Sequence, residues 1–200
     1  MFGQSKRRPP VAGFRPVADL WKVADEEKLG ELLIYTAGQL LDDRPGGATK
    51  VNKILYYSEF SHIRTDGVPI TGVAYQKLPD GPAPRQLVPV RDRLIANGDA
   101  VLQDDQYFGK PLHRLVPLRP QRVDALSLEE LATVDQVIRA MWGLTAGQVS
   151  AMSHRELGWN MVDEGEDIPL STAYLPRRAV MSEAAKQRAR ELAASLSSRS

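Results

Sequence analysis

The chain contains no cysteine. Disulfides, thiolate zinc sites and cysteine nucleophiles are thereby excluded, and a reducing cytoplasm suits the composition without being required by it. Only three histidines occur, which leaves little from which to build a metal cluster. Neither sign of charge dominates: 26 Lys and Arg face 25 Asp and Glu, a net charge of +1. Such a balance gives no overall pull toward nucleic acid, so any electrostatic choice of partner has to be local. No apolar run approaches the roughly 18 residues needed to cross a bilayer, and no membrane partner is expected. The first 16 residues are basic and then rich in Pro and Gly, without the apolar stretch of a signal peptide.

What remains is an ordinary globular composition, 42% hydrophobic and 26% charged over 200 residues, suited to one well-buried core. Residues 1–24 carry Lys6, Arg7, Arg8, Arg15 and Lys22 with Pro9, Pro10 and Gly13, and are expected to form a basic arm. From Leu29 the residues Leu32, Leu33, Ala37, Leu40 and Leu41 recur at helical spacing until Pro45. Thr49 offers a hydroxyl cap for a second helix, whose stripe of Val51, Ile54, Leu55 and Ser58 is thickened by Tyr57, Phe60 and Ile63; Gly67 should end it. Ile70 to Lys77 reads as a short strand, followed by a rigid loop through Pro79 to Pro84. Gln86 to Ala96 can be helical if Pro89 lies in the first turn. Ala100 to Gln103 and Leu112 to Leu118 read as strands joined through a loop at 104–111, a hairpin or wing. Ser127 and Glu130 form a capping box for a helix through Met141, which Trp142 broadens and Gly143 ends. Thr145 can cap another helix to about Arg155. An acidic loop at Asp163, Glu164, Glu166 and Asp167 leads to a C-terminal extension, 166–200, with a basic amphipathic helix at Ser182 to Leu196. The predicted fold class is mainly α (α+β): a compact helical core over residues 25–165 with a small β-hairpin or wing.

Three ordered blocks carry a resemblance. The first runs through Lys50, Asn52, Lys53, Leu55, Tyr56 and Tyr57 to His62, Gly67 and Pro69; the second is Gly81-Pro82; the third is Ser153-His154 with Trp159. In this order and spacing they resemble the Panacea domain of SocA-like antitoxins, over roughly Lys28 to Trp159. The approach to Gly81 through Leu78-Pro79-Asp80 is longer than the family pattern. The resemblance implies a non-enzymatic cytoplasmic protein of a prokaryote or phage, without a cofactor, whose partner is a cognate toxin protein. Toxins neutralised by such antitoxins are varied and include nucleotide-transferring, alarmone-synthetase-like enzymes.

Each feature also has a plainer reading. Tyr56 and Tyr57 project about 100° apart on a helix, so one can pack inward while the other reaches a surface or loop; core packing is the first expectation. His62 beside Ile63 reads as a buried, hydrogen-bonded residue. His154 has no nucleophile or held water marked for it, so a helix-end role with Trp159 closing the core is expected. Gly81-Pro82 reads first as a rigid turn. Gly46-Gly47-Ala48-Thr49-Lys50 lacks the full spacing of a phosphate loop, and nucleotide binding is not expected. The acidic loop lacks the alternation of a calcium site. Candidate partner contacts are Tyr57, Lys77, Asp80, Arg85, Arg177 and Arg178. No catalytic, cofactor or metal-ligating set is expected. The competing functions are a winged-helix nucleic-acid binder, from Gln86 to Ala96 and the following strands flanked by Arg85, Arg91, Arg93, Arg114 and Arg119, and an adaptor that hands a toxin to a protease. Nucleic acid is not the favoured partner, and a homo-oligomer is left open.

Overall fold

The computed structural model describes residues 24–175; the expected basic arm and the helix at 182–196 lie outside them. The first helix, α1 (Glu26–Gln39), starts three residues before the apolar stripe because Asp25 caps it by accepting from the Lys28 amide at 2.8 Å. Glu26 and Glu27 then sit favourably in its positive first turn. Its end and the loop after it are held from a distance: the Arg114 guanidinium donates to the carbonyls of the C-cap Leu40 and of Asp43, Arg44 and Gly46. Carbonyls left open where a helix ends are thus satisfied by one side chain.

The second helix, α2 (Ala48–Asp66), is capped by Gly47 and not by the Thr49 hydroxyl. The cap is glycine for lack of room, since a Cβ there would overlap Leu112. Gly67 ends the helix in the left-handed region at φ 75°, as expected. Every residue from Lys53 to Phe60 is buried, because α2 is covered by α1, by α4 (Leu128–Met141), by α5 (Ala146–Ser153), by a terminal 3-10 helix (Leu170–Tyr174) and by strands on its remaining sides. A helix wrapped on all faces is the axis of the molecule. The core around it joins Leu29, Leu32, Ile54, Leu55, Ile63, Val134, Ile138 and Val149.

The expected strand from Ile70 to Lys77 is reduced to β1 (Tyr75–Gln76). The residues before it bend around the buried carboxylate of Glu59, which accepts from the amides of Thr71 and Gly72 and so withdraws them from any sheet. Strand β1 is central in a three-stranded antiparallel sheet, between β2 (Ala83–Pro84) and β5 (Asp167–Ile168), with Tyr75 opposite both Pro84 and Ile168. Ile168, Leu170 and Ala173 are buried, so the packed unit runs on past residue 165. Helix α3 (Leu87–Ala96) holds Pro89 in its first turn. A hairpin follows, β3 (Ala100–Tyr107) and β4 (Lys110–Pro117), whose strands extend through the polar stretch expected to be loop. The turn shrinks to Phe108-Gly109, at φ 48° and 72°. Positive φ at both central positions is the hairpin turn whose twist matches its strands.

The expected capping box of Ser127 with Glu130 forms for α4, and Thr145, expected as a simple cap, makes a second box with Gln148 for α5. Helix α5 ends at Ser153, short of Arg155, and α6 (Leu157–Asn160) follows. Trp142 does not broaden the α4 stripe; it is the residue after the last turn and is half exposed. The molecule is mainly helical with small antiparallel sheets, as the sequence predicts.

Candidate partner-binding surface

The three sequence blocks meet at one interior joint. Lys53 of α2 donates to the Pro82 carbonyl at 3.2 Å, and Ser150 of α5 donates to the Asp80 carbonyl at 2.9 Å. Between them lies Gly81, at φ 103°. A Cβ on it would stand 2.6 Å from Lys53 Cε and closer still to Ser153 Oγ. Burial pushes the Lys53 ammonium down to about 8, partly offset by the charge of Asp80. The Gly-Pro turn is therefore packed against α2 and α5, and its conformation is specified by their side chains.

A second contact set lies beyond that joint. His154, the residue closing α5, stacks on Trp159 with centroids 4.4 Å apart, and Lys77 Nζ stands 4.1 Å above the indole while donating to the Val162 carbonyl at 2.9 Å. His154 thus stands at a helix end, but its Nε2, like the Trp159 Nε1, is buried without a hydrogen-bond partner among the described residues. His62 is buried, within reach of Thr133 Oγ1 at 3.3 Å and Asp66 at 3.1 Å. Leu55 and Pro69 are buried and Asn52 half-buried. Lys50 is fully buried and donates to Asp43 at 2.5 Å, while Asp43 also accepts from the Gly143 amide at 3.0 Å. Burial holds Lys50 below its ordinary value and the Asp43 carboxylate counters this. The glycine loop before it is thus a structural link between α1, α2 and the end of α4, with its lysine already engaged.

Three buried acids escaped the reading of the sequence. Glu59 takes up the Thr71 and Gly72 amides and the Thr71 hydroxyl; burial drives it up to about 7 against those donors. Glu31 receives both outer nitrogens of Arg119, at 2.9 and 2.8 Å, together with Arg122. Burial raises its pKa, but the two arginines outweigh this and hold it below the usual carboxylate range. Asp43 is the third. Their only signal was an acid lying on or beside an apolar stripe, which in Glu59 falls between Ser58 and Phe60.

The candidate contacts do not form one patch. Tyr57 is buried, with Tyr56 against it edge to face at 5.3 Å; it therefore meets a partner only as part of a groove wall. That groove, of about 500 Å³, runs between α2, α4 and α5 and is lined by Tyr57, Arg64, Gln136, Met141, Met152 and Arg155 among others. Lys77 is occupied by Val162 and Trp159. Asp80 is exposed, whereas Arg85 pairs with Asp167 and donates to the Gly165 carbonyl. Arg177 and Arg178 lie outside the described residues. Among the described residues no group of three or more His, Asp or Glu could hold a metal, and no helix is long and apolar enough to cross a membrane.

Residues 51–160, more than half of the chain, match the family model described as antitoxin SocA-like, Panacea domain. The chain belongs to the Panacea family. The matched segment begins on α2 and ends on α6, so it contains the whole joint of Lys53, Gly81, Ser150 and Ser153. No curated protein and no solved structure matches the chain.

Proposed function

We propose that this protein neutralises a protein toxin by binding it directly, acting as the antitoxin of a toxin–antitoxin pair. The observation that carries this reading is the Panacea match over residues 51–160. The arrangement of the signature residues supports it: Lys53, Gly81, His62 and Ser153 are spent inside the molecule, which leaves recognition to the outer surface. A rigid frame presenting changeable loops is how one fold serves unrelated targets. The resemblance gives a mode of action and not a target: toxins neutralised by such antitoxins are varied and include nucleotide-transferring enzymes of the alarmone-synthetase type, and the toxin would be covered through an interface on the order of 1,200 to 2,000 Å².

The test is co-expression in a bacterial host with the product of the reading frame beside its own. Growth arrest by that product alone, relieved when this chain is present, is the expected result. Arrest that persists despite stable expression of both proteins would refute it. Following the toxin's half-life separates masking, in which the toxin accumulates in a bound form, from delivery to a protease, in which it disappears.

A winged-helix nucleic-acid reading gains little from the side chains. Its arginines are engaged: Arg91 with Asp92, Arg93 with Glu26, Arg119 with Glu31 and Asp99, Arg114 with Asp105 and the carbonyls of the loop after α1. The strand that would form the wing's outer edge carries acids, which repel phosphate.

A further inference from the structure

The β3–β4 hairpin has one covered side and one open side. Strand β4 lies against α1 and α2, while β3, in which Ala100 is the one buried residue, meets α3 and, among the described residues, pairs with nothing but β4. Residues 101–106 are all exposed. The register fixes which backbone groups point away. Tyr107 and Lys110 flank a two-residue turn, so they exchange their hydrogen bonds, and the alternation of an antiparallel ladder then turns the N–H and C=O of Leu102, Asp104 and Gln106 outward. One side-chain contact agrees with this. The Gln106 amide is taken by the carboxylate of Asp105 at 2.7 Å, as an edge amide without a strand partner would be.

An exposed edge of this length is ordinarily blunted, because it templates pairing with another chain. Here Leu102 and Val101 stand about half exposed along it, and Phe108 at the tip is 88% exposed. Phe108 is also the only described residue other than glycine with positive φ. Asn or Asp would fill that turn position with less strain, and the ring's edge-to-face contact with Tyr107, at 4.7 Å between centroids, still leaves it almost wholly in solvent. Strain and an apolar ring maintained together on a protruding tip mark a contact site.

Charge selects the occupant. Strand β3 carries Asp104 and Asp105 and no basic residue; the bases that answer them, His113 and Arg114, are on β4. Antiparallel pairing of two copies through β3 would bring the Asp104 carboxylates within two positions of each other in any well-overlapped register. Like charges so placed oppose self-association. A strand bearing Lys or Arg would instead continue the alternation of sign across the sheet.

We propose that the free edge of β3 takes up an extended basic segment of the toxin as a third strand, with Phe108 inserted into an apolar socket beside it. This rests on the antitoxin reading for the identity of the partner, but the surface and its chemistry can be tested without one. The probe is a synthetic peptide of alternating lysine and valine, set against its glutamate–valine counterpart, with amide hydrogen exchange of the full chain followed residue by residue. The expected result is slowed exchange at Leu102 and Asp104 with the lysine peptide and none with the glutamate peptide.

Two variants sharpen the outcome. Asp104→Pro removes an outward amide that makes no bond to β4 and should abolish the protection, while Asp104→Asn keeps the amide and should weaken it only. Phe108→Asn exchanges the ring's contact with Tyr107 for a less strained turn, so it should change thermal stability little while weakening neutralisation of the toxin about tenfold or more. The proposal is overturned by protection with both peptides or neither, by unaltered binding in Asp104→Pro, or by a dimer that this substitution dissolves. It also fails if these amides are already protected in the free chain, since the edge would then be filled by the chain itself. Peptide binding without rescue of growth would refute the antitoxin reading alone; rescue unaffected by Asp104→Pro and Phe108→Asn would refute this proposal alone.

Discussion

Gly81 is held at φ 103° with Lys53 and Ser153 filling the space where a side chain would stand, so a methyl group there meets a disfavoured backbone angle and a steric overlap together. Gly81→Ala should cost about 2 to 4 kcal/mol, read as a lower urea midpoint at unchanged slope. Gly98 is the control: its φ is 75° but a Cβ would touch nothing within 4 Å, so Gly98→Ala should cost only about 1 kcal/mol. Equal losses would mean that the joint is looser than its packing indicates. Glu59 supplies a pH dependence. Burial raises it from 4.5 to about 7 in the folded chain, so the native state keeps this proton where the unfolded chain has released it. Stability from this group is therefore full below about pH 4.5 and is lost as pH rises through about 7, by at most about 1.4 kcal/mol per pH unit. Urea midpoints between those limits should show the fall, and Glu59→Gln should flatten it; an unchanged slope in the variant would assign the dependence elsewhere.

Among the elements, those with local signals were legible and those set by distant side chains were not. The α4 capping box is written in Ser127 and Glu130 and forms as read; Pro89 marks the first turn of α3 and Gly67 the end of α2. The start of α2 was misplaced at Thr49 because the deciding contact, Leu112 over Gly47, comes from a hairpin more than sixty residues away. Likewise the stretch from Ile70 to Ala74 has strand-forming residues, but Glu59 captures its amides. These two cases predict a contrast in thermal melts. Ser127→Ala should lose about 1 kcal/mol with its cap, whereas Thr49→Ala, which removes no cap, should stay within about 0.5 kcal/mol. The candidate site was legible to the same degree. The signature residues could be picked out; Lys50, Lys53, Leu55, Tyr56, Tyr57, His62, Gly81 and Ser153 are buried, while Asn52, Gly67, His154 and Trp159 are half-buried. The hairpin edge was not anticipated, because Asp104 to Gln106 has the composition of a loop and only pairing with β4 makes it a strand.

For the whole molecule, composition sets the boundaries poorly. The acidic run at 163–167 and Pro169 suggested that the core stops near residue 165, yet β5 pairs with β1, Leu170 and Ala173 are buried, and Arg64 of α2 donates to the Ala173 carbonyl at 3.0 Å. The last ten described residues thus close the face of α2 that the other helices leave uncovered. Removing them would expose the side chains of Ile168 and Leu170, each contributing about 1.5 to 3 kcal/mol when buried, and would open one edge of β1. Against a total of about 5 to 15 kcal/mol for a domain, that loss is severe. A polypeptide of residues 24–175 should therefore unfold cooperatively in urea, while one of residues 24–165 should be destabilised by about 3 kcal/mol or more and bind a hydrophobic dye before it unfolds. If the two melt alike, the terminal 3-10 helix is only an appendage on α2. The Panacea match, which ends at residue 160, would then contain everything the core needs on its C-terminal side.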